Sequence, residues 1–243
     1  MGDIIEGRNP VVEAIKSGRD FDRICFASGD KTLQRIINMA KDRRIPIDFV
    51  DRSRLDSISE TKAHQGVVGF AAAHNFATVE DILEKAKNKN EPPFIVILDG
   101  LSDPHNLGSI LRTANAAGVH GVVIPKRRSV GLNSTVAKIS AGAIEYTPVA
   151  RVSNIAQTID NLKKNGVWVY GTAFEGASVY NKTDLKGSIA LVIGNEGEGI
   201  SRIVLEKCDG LVKIPMMGEI QSLNASVAAG ILLYEILNQR TAD

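Results

Sequence analysis

Little in this 243-residue sequence points to disulfide, membrane or bulk-charge chemistry. Only two cysteines occur, Cys25 and Cys208, far apart and each in apolar surroundings. They exclude a disulfide framework and read as reduced, buried thiols of a cytoplasmic protein. The 29 Lys and Arg nearly cancel the 28 Asp and Glu, leaving a formal net charge of +1. Nothing therefore draws nucleic acid to the chain as a whole, and any such binding must use local patches. Aromatics are scarce at 5%, with Trp168 the single tryptophan. No apolar run approaches a membrane span, and the opening residues, MGDIIEGRNP, lack the basic-then-apolar profile of a signal peptide. The sequence has no G-x-x-x-x-G-K-[ST] phosphate loop, zinc-ligand spacing, nucleophile elbow or two-histidine helix. These gaps disfavour a nucleotide hydrolase and leave no candidate metal site.

What is present is a globular composition, 44% hydrophobic and 23% charged, enough for one large or two modest domains with their own cores. Over residues 1–73, Asn9 and Pro10 can open a short helix that Gly18 closes. Strands are expected at 24–26, 45–50 and 67–73, with helices at 31–44 and 53–59, which makes a small α/β domain. Residues 74–93 carry one helical pattern, 79–87, then a polar run and Pro92-Pro93, and read as the linker. From 94 to 243 a second series begins with Phe94-Ile95-Val96-Ile97-Leu98, the continuous apolar pattern of a strand buried on both faces of a parallel sheet. Helices at 106–117, 133–140, 154–164 and from Ser201 alternate with strands at 121–124, 146–149, 167–172 and 189–193. The expectation is a parallel or mostly parallel sheet covered on both faces.

Ligands of such sheets bind beyond the carboxyl ends of the strands. Three expected strand ends run into loops of unusual composition: Asp99 to Gly108, leading to Arg112; Gly194-Asn195-Glu196-Gly197-Glu198-Gly199; and the loop from Met216 to Asn224. The second reads G-x-x-G-x-G, which is not the dinucleotide fingerprint. After the third loop a helix starts at Ser222 or Asn224, both good N-caps, and from Ala225 to Leu233 it is apolar almost all round. Such a helix is expected to be buried on every face. Each loop alone could be a tight turn and the helix an ordinary capped core helix. Together the loops could cradle a nucleotide-like ligand with their backbones.

The series Asn106-x-Gly108-x-x-x-Arg112, Gly194-Asn195-Glu196-Gly197-x-Gly199-Ile200 and Ile214-Pro215-Met216-x-Gly218-x-x-x-Ser222-Leu223-Asn224-x-Ser226 resembles the three motifs of the SpoU (TrmH-like) family of RNA ribose 2′-O-methyltransferases. Gly7-Arg8-Asn9-Pro10-Val11 resembles the start of that family's small substrate-binding domain, itself similar to ribosomal protein L30e. Asp103 to Gly108 with Ala116 to His120 looks most like the 23S rRNA guanosine-2′-O-methyltransferase B branch. Ala225 departs from the pattern, since many members carry Val there.

The resemblance implies an L30e-like RNA-binding domain over 1–73 and an α/β trefoil-knot (SPOUT) methyltransferase domain over 94–243. It implies S-adenosyl-L-methionine as cofactor, with Gly194, Ile214 and Leu223 contacting it through backbone and Thr172 a further candidate. Asn106, Arg112, Glu196, Ser222 and Asn224 would form the catalytic set. Arg8, Lys126, Arg127 and Arg128 are candidate RNA-backbone contacts, which give affinity and register rather than base identity. Relatives are homodimers with a site shared across the interface, and the small residues of the last helix suit close packing. The expected substrate is a guanosine of 23S rRNA. Other readings are a tRNA guanosine 2′-O-methyltransferase, a resistance-type rRNA enzyme, or an RNA-binding protein that kept the fold without the activity.

Overall fold

Strand and helix alternate along nearly the whole chain in the computed structural model, which describes residues 3–19, 21–71, 76–127, 129–195, 197–219 and 222–242. The order begins β1 (Asp3–Glu6), α1 (Arg8–Lys16), β2 (Phe21–Ala27), α2 (Gln34–Asp42), β3 (Ile47–Val50), α3 (Arg52–Ile58) and β4 (Val67–Ala71). It continues with α4 (Val79–Asn88), β5 (Phe94–Asp99), α5 (Pro104–Ala116), β6 (Gly121–Pro125), α6 (Ser134–Ile139), β7 (Val149–Val152) and α7 (Ile155–Lys164). Then come β8 (Trp168–Thr172), β9 (Ser178–Val179), β10 (Ile189–Gly194), α8 (Arg202–Leu205), β11 (Gly210–Lys213) and α9 (Ala225–Thr241). The chain divides into two compact units. The first comprises the residues up to 75 together with Gly131–Tyr146; the second comprises Phe76–Val130 and the residues from 147 onward.

The first unit holds a four-stranded sheet in the order β1-β4-β2-β3, with β4 antiparallel to both neighbours and β2 parallel to β3. Ile5, Val11, Ile24, Phe26, Leu33 and Leu55 fill its core. Helix α1 starts at Arg8, one residue before the expected cap Asn9, because Gly7 at φ +95° makes the turn out of β1. The stretch 131–146 folds onto this unit, and α6 packs on β1. Lys138 donates to the Thr61 hydroxyl at 2.7 Å, and Ser134 donates to the Glu60 carboxylate. The buried pair Arg19–Glu145 closes at 3.0 Å, and the Tyr146 hydroxyl donates to Glu13 at 2.6 Å. Burial and the Glu13 acceptor push that hydroxyl up to about 12. Glu6 is buried at the end of β1; burial works to raise its pKa, but hydrogen bonds led by the Thr61 hydroxyl outweigh it and hold the carboxyl low.

The second unit is a seven-stranded sheet, β7-β6-β5-β10-β8-β11-β9, parallel at every pairing. Because successive side chains alternate faces, Ile95 and Ile97 of β5 meet Val79 and Ile82 of α4 and Ile155, Ile159 and Leu162 of α7 in one cluster. On the opposite face α5 and α9 pack against each other. Phe94 to Leu98 are all buried, and each such side chain contributes about 1.5–3 kcal/mol over its exposed state. The second unit is thus a parallel α/β sheet, as the alternation of strand and helix along its sequence leads one to expect.

Four features depart from the expected pattern. Residues 79–88 are not linker but a core-forming helix, whose capping box (Thr78 with Asp81) starts it and whose Ile82 fits over Gly121 where a Cβ would collide. The expected strand 146–149 is displaced to Val149–Val152, since Pro148 offers no N–H to a ladder and Tyr146 is engaged in the first unit. α5 begins at Pro104 with Asp103 as cap, so Asn106 lies inside the first turn. α9 is not covered on every side: Val227 and Tyr234 are each 50% exposed, with Ile231 half-buried between them. Cys25 is buried and Cys208 half-buried, both as free thiols.

The entry to β5 is fixed by His120, which is fully buried. Its Nδ1 accepts from the Phe94 N–H at 3.0 Å, so Nε2 carries the proton and donates to Glu91 at 3.0 Å. Burial holds the His120 pKa below its ordinary value, against the partial opposition of Glu91. The folded state thus keeps the neutral ring while the unfolded chain takes up a proton near pH 6.5, so stability present above that pH is lost on acidification. The urea midpoint should fall between about pH 7 and about pH 5.5, and less steeply in His120→Asn. Equal slopes for the two proteins would show that another group controls the dependence.

Candidate active site

All seven strands of the second sheet point their carboxyl ends the same way, and the loops leaving them meet at one edge. Asp99 closes β5 directly opposite Gly194, which closes β10. Thr172 at the end of β8 lies opposite Val212 of β11. Beyond these ends opens a cavity of about 510 Å³, lined by Thr172, Phe174, Gly194, Asn195, Ile200, Ile214, Ser222, Leu223, Ala228 and Leu232 among others. The four residues expected to contact cofactor (Thr172, Gly194, Ile214 and Leu223) therefore line a single space, together with Ser222.

The loop after β10 is closed on itself. Asn195 and Gly199 exchange backbone hydrogen bonds of 3.2 and 3.1 Å, and the Asn195 Oδ1 accepts from Gly197 and Glu198 N–H at 2.9 and 2.6 Å. Gly199 at φ +70° makes the turn back. A Cβ on Gly194 would overlap the Gly199 carbonyl carbon and the Ile200 nitrogen, so this strand end tolerates no side chain. The far side of the loop is held by the Ser201 N–H donating to Asp99 Oδ2 at 2.8 Å. Neither Asn195 nor Asp99 was singled out from sequence. The signal for Asn195 was its place two residues before a glycine, the pattern of a side chain capping its own turn.

Motif one meets motif three through Asn106. This residue is 5% exposed, and its Oδ1 accepts from Asn224 Nδ2 at 2.9 Å. Asn224 Oδ1 caps α9, accepting from the Ser226 and Val227 N–H groups at 2.9 and 3.3 Å. Both carboxamides are thus joined across 118 residues and lie outside the lining of the cavity. Arg112 is exposed on α5, does not line the cavity, and makes no hydrogen bond or ion pair among the described residues. Next to it, Thr113 packs within contact distance of the space over Gly230 of α9.

Lys126 and Arg127 are exposed at the end of β6, while Arg128 and Glu196 lie outside the described residues. In the first unit, Arg8 is engaged: its Nε donates to the Gln65 carbonyl at 3.1 Å and its Nη2 to Asp30 at 3.4 Å. Cys208 packs against Gly171 of β8, outside the lining of the cavity. Burial, reinforced by the charge of Asp209, pushes its thiol up to about 11, which makes it inert at neutral pH. Among the described residues no His, Cys, Asp or Glu cluster could hold a metal ion. No helix among them is long and apolar enough to cross a membrane.

The model of the SpoU rRNA methylase family matches residues 93–234, and that of the RNA 2′-O ribose methyltransferase substrate-binding domain matches residues 4–77. The chain belongs to the SpoU family. Its enzyme class is accordingly RNA 2′-O-ribose methyltransferase. This SpoU chain is 50% identical over 240 residues to YacO of Bacillus subtilis (strain 168), which is assigned by name to the TrmH family of tRNA/rRNA methyltransferases; the match covers 98% of this chain and 96% of that protein. It superposes on the SpoU methyltransferase AviRb from Streptomyces viridochromogenes, solved with AdoMet, with a TM-score of 0.85 at 25% identity, over 98% of this chain and 89% of that one. An AdoMet-bound rRNA methyltransferase from Sinorhizobium meliloti shares the fold, with a TM-score of 0.81 at 23% identity, over 100% of this chain and 88% of that one.

SpoU methyltransferases use S-adenosylmethionine. The cavity suits such a group: its size lies within the usual range for small-molecule sites, its walls are largely apolar, and at Gly194 backbone alone fits between strand and loop. Gly194→Ala should therefore weaken S-adenosylhomocysteine binding at least about tenfold by calorimetry, because a Cβ forces the 195–200 loop outward. Unchanged affinity in a folded variant would remove this loop from the cofactor site.

Proposed function

We propose that this SpoU enzyme transfers a methyl group to the 2′-hydroxyl of a guanosine ribose in 23S rRNA, acting in the cytoplasm as a homodimer. The observation that carries this reading is the cavity at the carboxyl ends of β8, β10 and β11, bounded by motifs two and three and tied to motif one through the Asn106–Asn224 hydrogen bond. The family's RNA substrate-binding domain matches residues 4–77, and the resemblance of that part to ribosomal protein L30e supports rRNA over tRNA as the target. A ribosomal substrate and two free thiols support a cytoplasmic setting.

Thr172, Gly194, Ile214 and Leu223 would hold S-adenosylmethionine, mainly through backbone, and the bound cofactor supplies an electrophilic methyl group. The ribose hydroxyl is a poor nucleophile and must lose its proton as it attacks. Holding reacting groups in line can supply about 7–11 kcal/mol of the barrier. Arg112 would grip the phosphate beside the target ribose with its fork of donors; a guanidinium stays protonated and is a poor base. That phosphate would orient the hydroxyl or accept its proton. Ser222 would bind a substrate phosphate at the mouth of the cavity. Asn106 and Asn224 would act by fixing the start of α9 and the loop before it, and Glu196 would anchor the motif-two loop. Arg8, Lys126, Arg127 and Arg128 would contact RNA backbone.

The dimer accounts for two otherwise separate facts. Arg112 is exposed and unpaired among the described residues of one chain, and Val227, Ile231 and Tyr234 leave an apolar stripe on α9, the helix that packs on α5. A second copy covering that stripe would remove apolar surface from water and bring its Arg112 toward this cavity. A tRNA substrate is the second reading, and RNA mapping distinguishes the two.

Ribose-methylation mapping of 23S rRNA and tRNA from cells lacking the protein should show one missing mark in 23S rRNA, restored on complementation. A missing mark confined to tRNA would favour the second reading. Arg112→Lys should lower kcat by about 10²-fold while S-adenosylhomocysteine affinity stays unchanged. Full turnover by that variant would rule out a role for the guanidinium fork.

A further inference from the structure

A second concavity of about 780 Å³ lies at the ends of β6 and β7 and along the exposed face of α7. None of the SpoU motif residues that the structure describes lines it. We propose that it is a distinct RNA subsite, which takes the phosphodiester and ribose backbone of substrate nucleotides outside the one being methylated. This rests on the RNA-substrate reading above.

Five of its polar side chains are uncommitted, while Thr78, Asn154 and Thr158 are engaged in capping or bonding the starts of α4 and α7. The ammonium groups of Lys126 and Lys164, the carboxamides of Gln157 and Asn161, and the Ser153 hydroxyl line the groove and make no hydrogen bond or ion pair among the described residues. Arg151 is fixed at the rim, donating to the Lys126 carbonyl at 3.0 Å with its guanidinium 5.2 Å from the Phe76 ring centroid. Of the two acids among its described lining residues, Asp160 is already paired with Lys207 at 2.8 Å, and Glu80 is outnumbered by Lys126, Arg151 and Lys164. The groove is therefore locally basic in a chain whose net charge is only +1.

The donor set selects the ligand class. Two ammonium groups match phosphate oxygens, and carboxamides with a hydroxyl match 2′-hydroxyls. Among the described residues no aromatic side chain lines the groove and no apolar anchor pocket for a protein partner is present, so its donors match backbone rather than stacked bases. Its place also fits. β6 is two strands and β7 three strands from β10 in the same parallel sheet, so the groove lies on the cofactor's edge of the sheet, about 10–14 Å away at ordinary strand spacing. One RNA strand running along that edge could reach both.

The test uses the full-length protein and a fluorescein-labelled single-stranded RNA 20-mer, titrated at several salt concentrations. For single strands, log K falls with log salt by about 0.7 for each phosphate neutralised. Lys126→Ala/Lys164→Ala should reduce that slope by about 1.4. Gln157→Ala/Asn161→Ala should lower affinity with the slope unchanged. S-adenosylhomocysteine binding should match wild type in both, which shows that the variants are folded and the cofactor site intact. A control of equal charge change outside the groove, Lys182→Ala/Lys186→Ala, should leave the slope as it is.

A wild-type slope in the groove lysine variant, or the same loss in the control, would overturn the subsite while leaving the methyltransferase reading in place. Failure of the wild-type protein to bind any RNA would overturn both. An acidic protein that competes for the groove while RNA affinity is unaffected by the substitutions would also overturn it.

Discussion

The pairing of β5 with β10 governs the second unit. These strands, 6 residues each, run parallel over their full length although some 90 residues of chain separate them, as residues 94 and 189 show. Parallel neighbours cannot be joined by a tight turn, so the intervening chain must return over the faces of the sheet. That requirement places helices on both sides and aligns every carboxyl end at one edge. It also sets Asp99 beside Gly194, so that one acidic side chain can brace the loop of the other strand through Ser201. Two distant motifs become neighbours through backbone register rather than through attraction between them.

The site built on that edge is formed mainly by backbone. Glycines, apolar walls and turn-closing carboxamides leave few ionisable groups around the cavity, which suits a cofactor that brings its own electrophile. The polar side chains given catalytic roles from sequence separate in space. Ser222 faces the cavity, Asn106 and Asn224 bond to each other outside it, and Arg112 is exposed on α5. The geometry gives the carboxamide pair a job in positioning α9. Arg112, by contrast, is exposed and has no hydrogen-bond or ion-pair partner among the described residues.

Local pattern carried the sequence reading far and then stopped at long-range contacts. The apolar run 94–98 declared β5; the helix starts expected at 133 and 154 prove to be the side-chain caps of α6 and α7, and of the two candidates Ser222 and Asn224 it is Asn224 that caps α9. The helix at 79–88 was recognisable, but its membership in the core was not, because Ile82 meets Gly121 across some 40 residues. The helix expected from residue 106 begins two residues earlier, because Asp103 caps it and Pro104 fits the first helical position. The Asn106–Asn224 bond, and the Lys126 and Lys164 groove, bring together residues too far apart in sequence for periodicity to link. The motif resemblance named Gly194, Ile214, Ser222 and Leu223, which line the cavity, and composition alone could not have grouped them.

Residues 131–146 lie within the sequence of the methylase family match yet fold with the N-terminal unit, through Lys138–Thr61, Glu145–Arg19 and Tyr146–Glu13. The polypeptide therefore passes from one unit to the other three times, near residues 75, 130 and 146. A single cut near residue 75 would liberate neither half whole: one fragment would be stripped of a helix, and the other would trail it uncovered. Exchange of substrate modules between such enzymes by simple end-to-end recombination is disfavoured here, since any viable graft must carry both pieces at once.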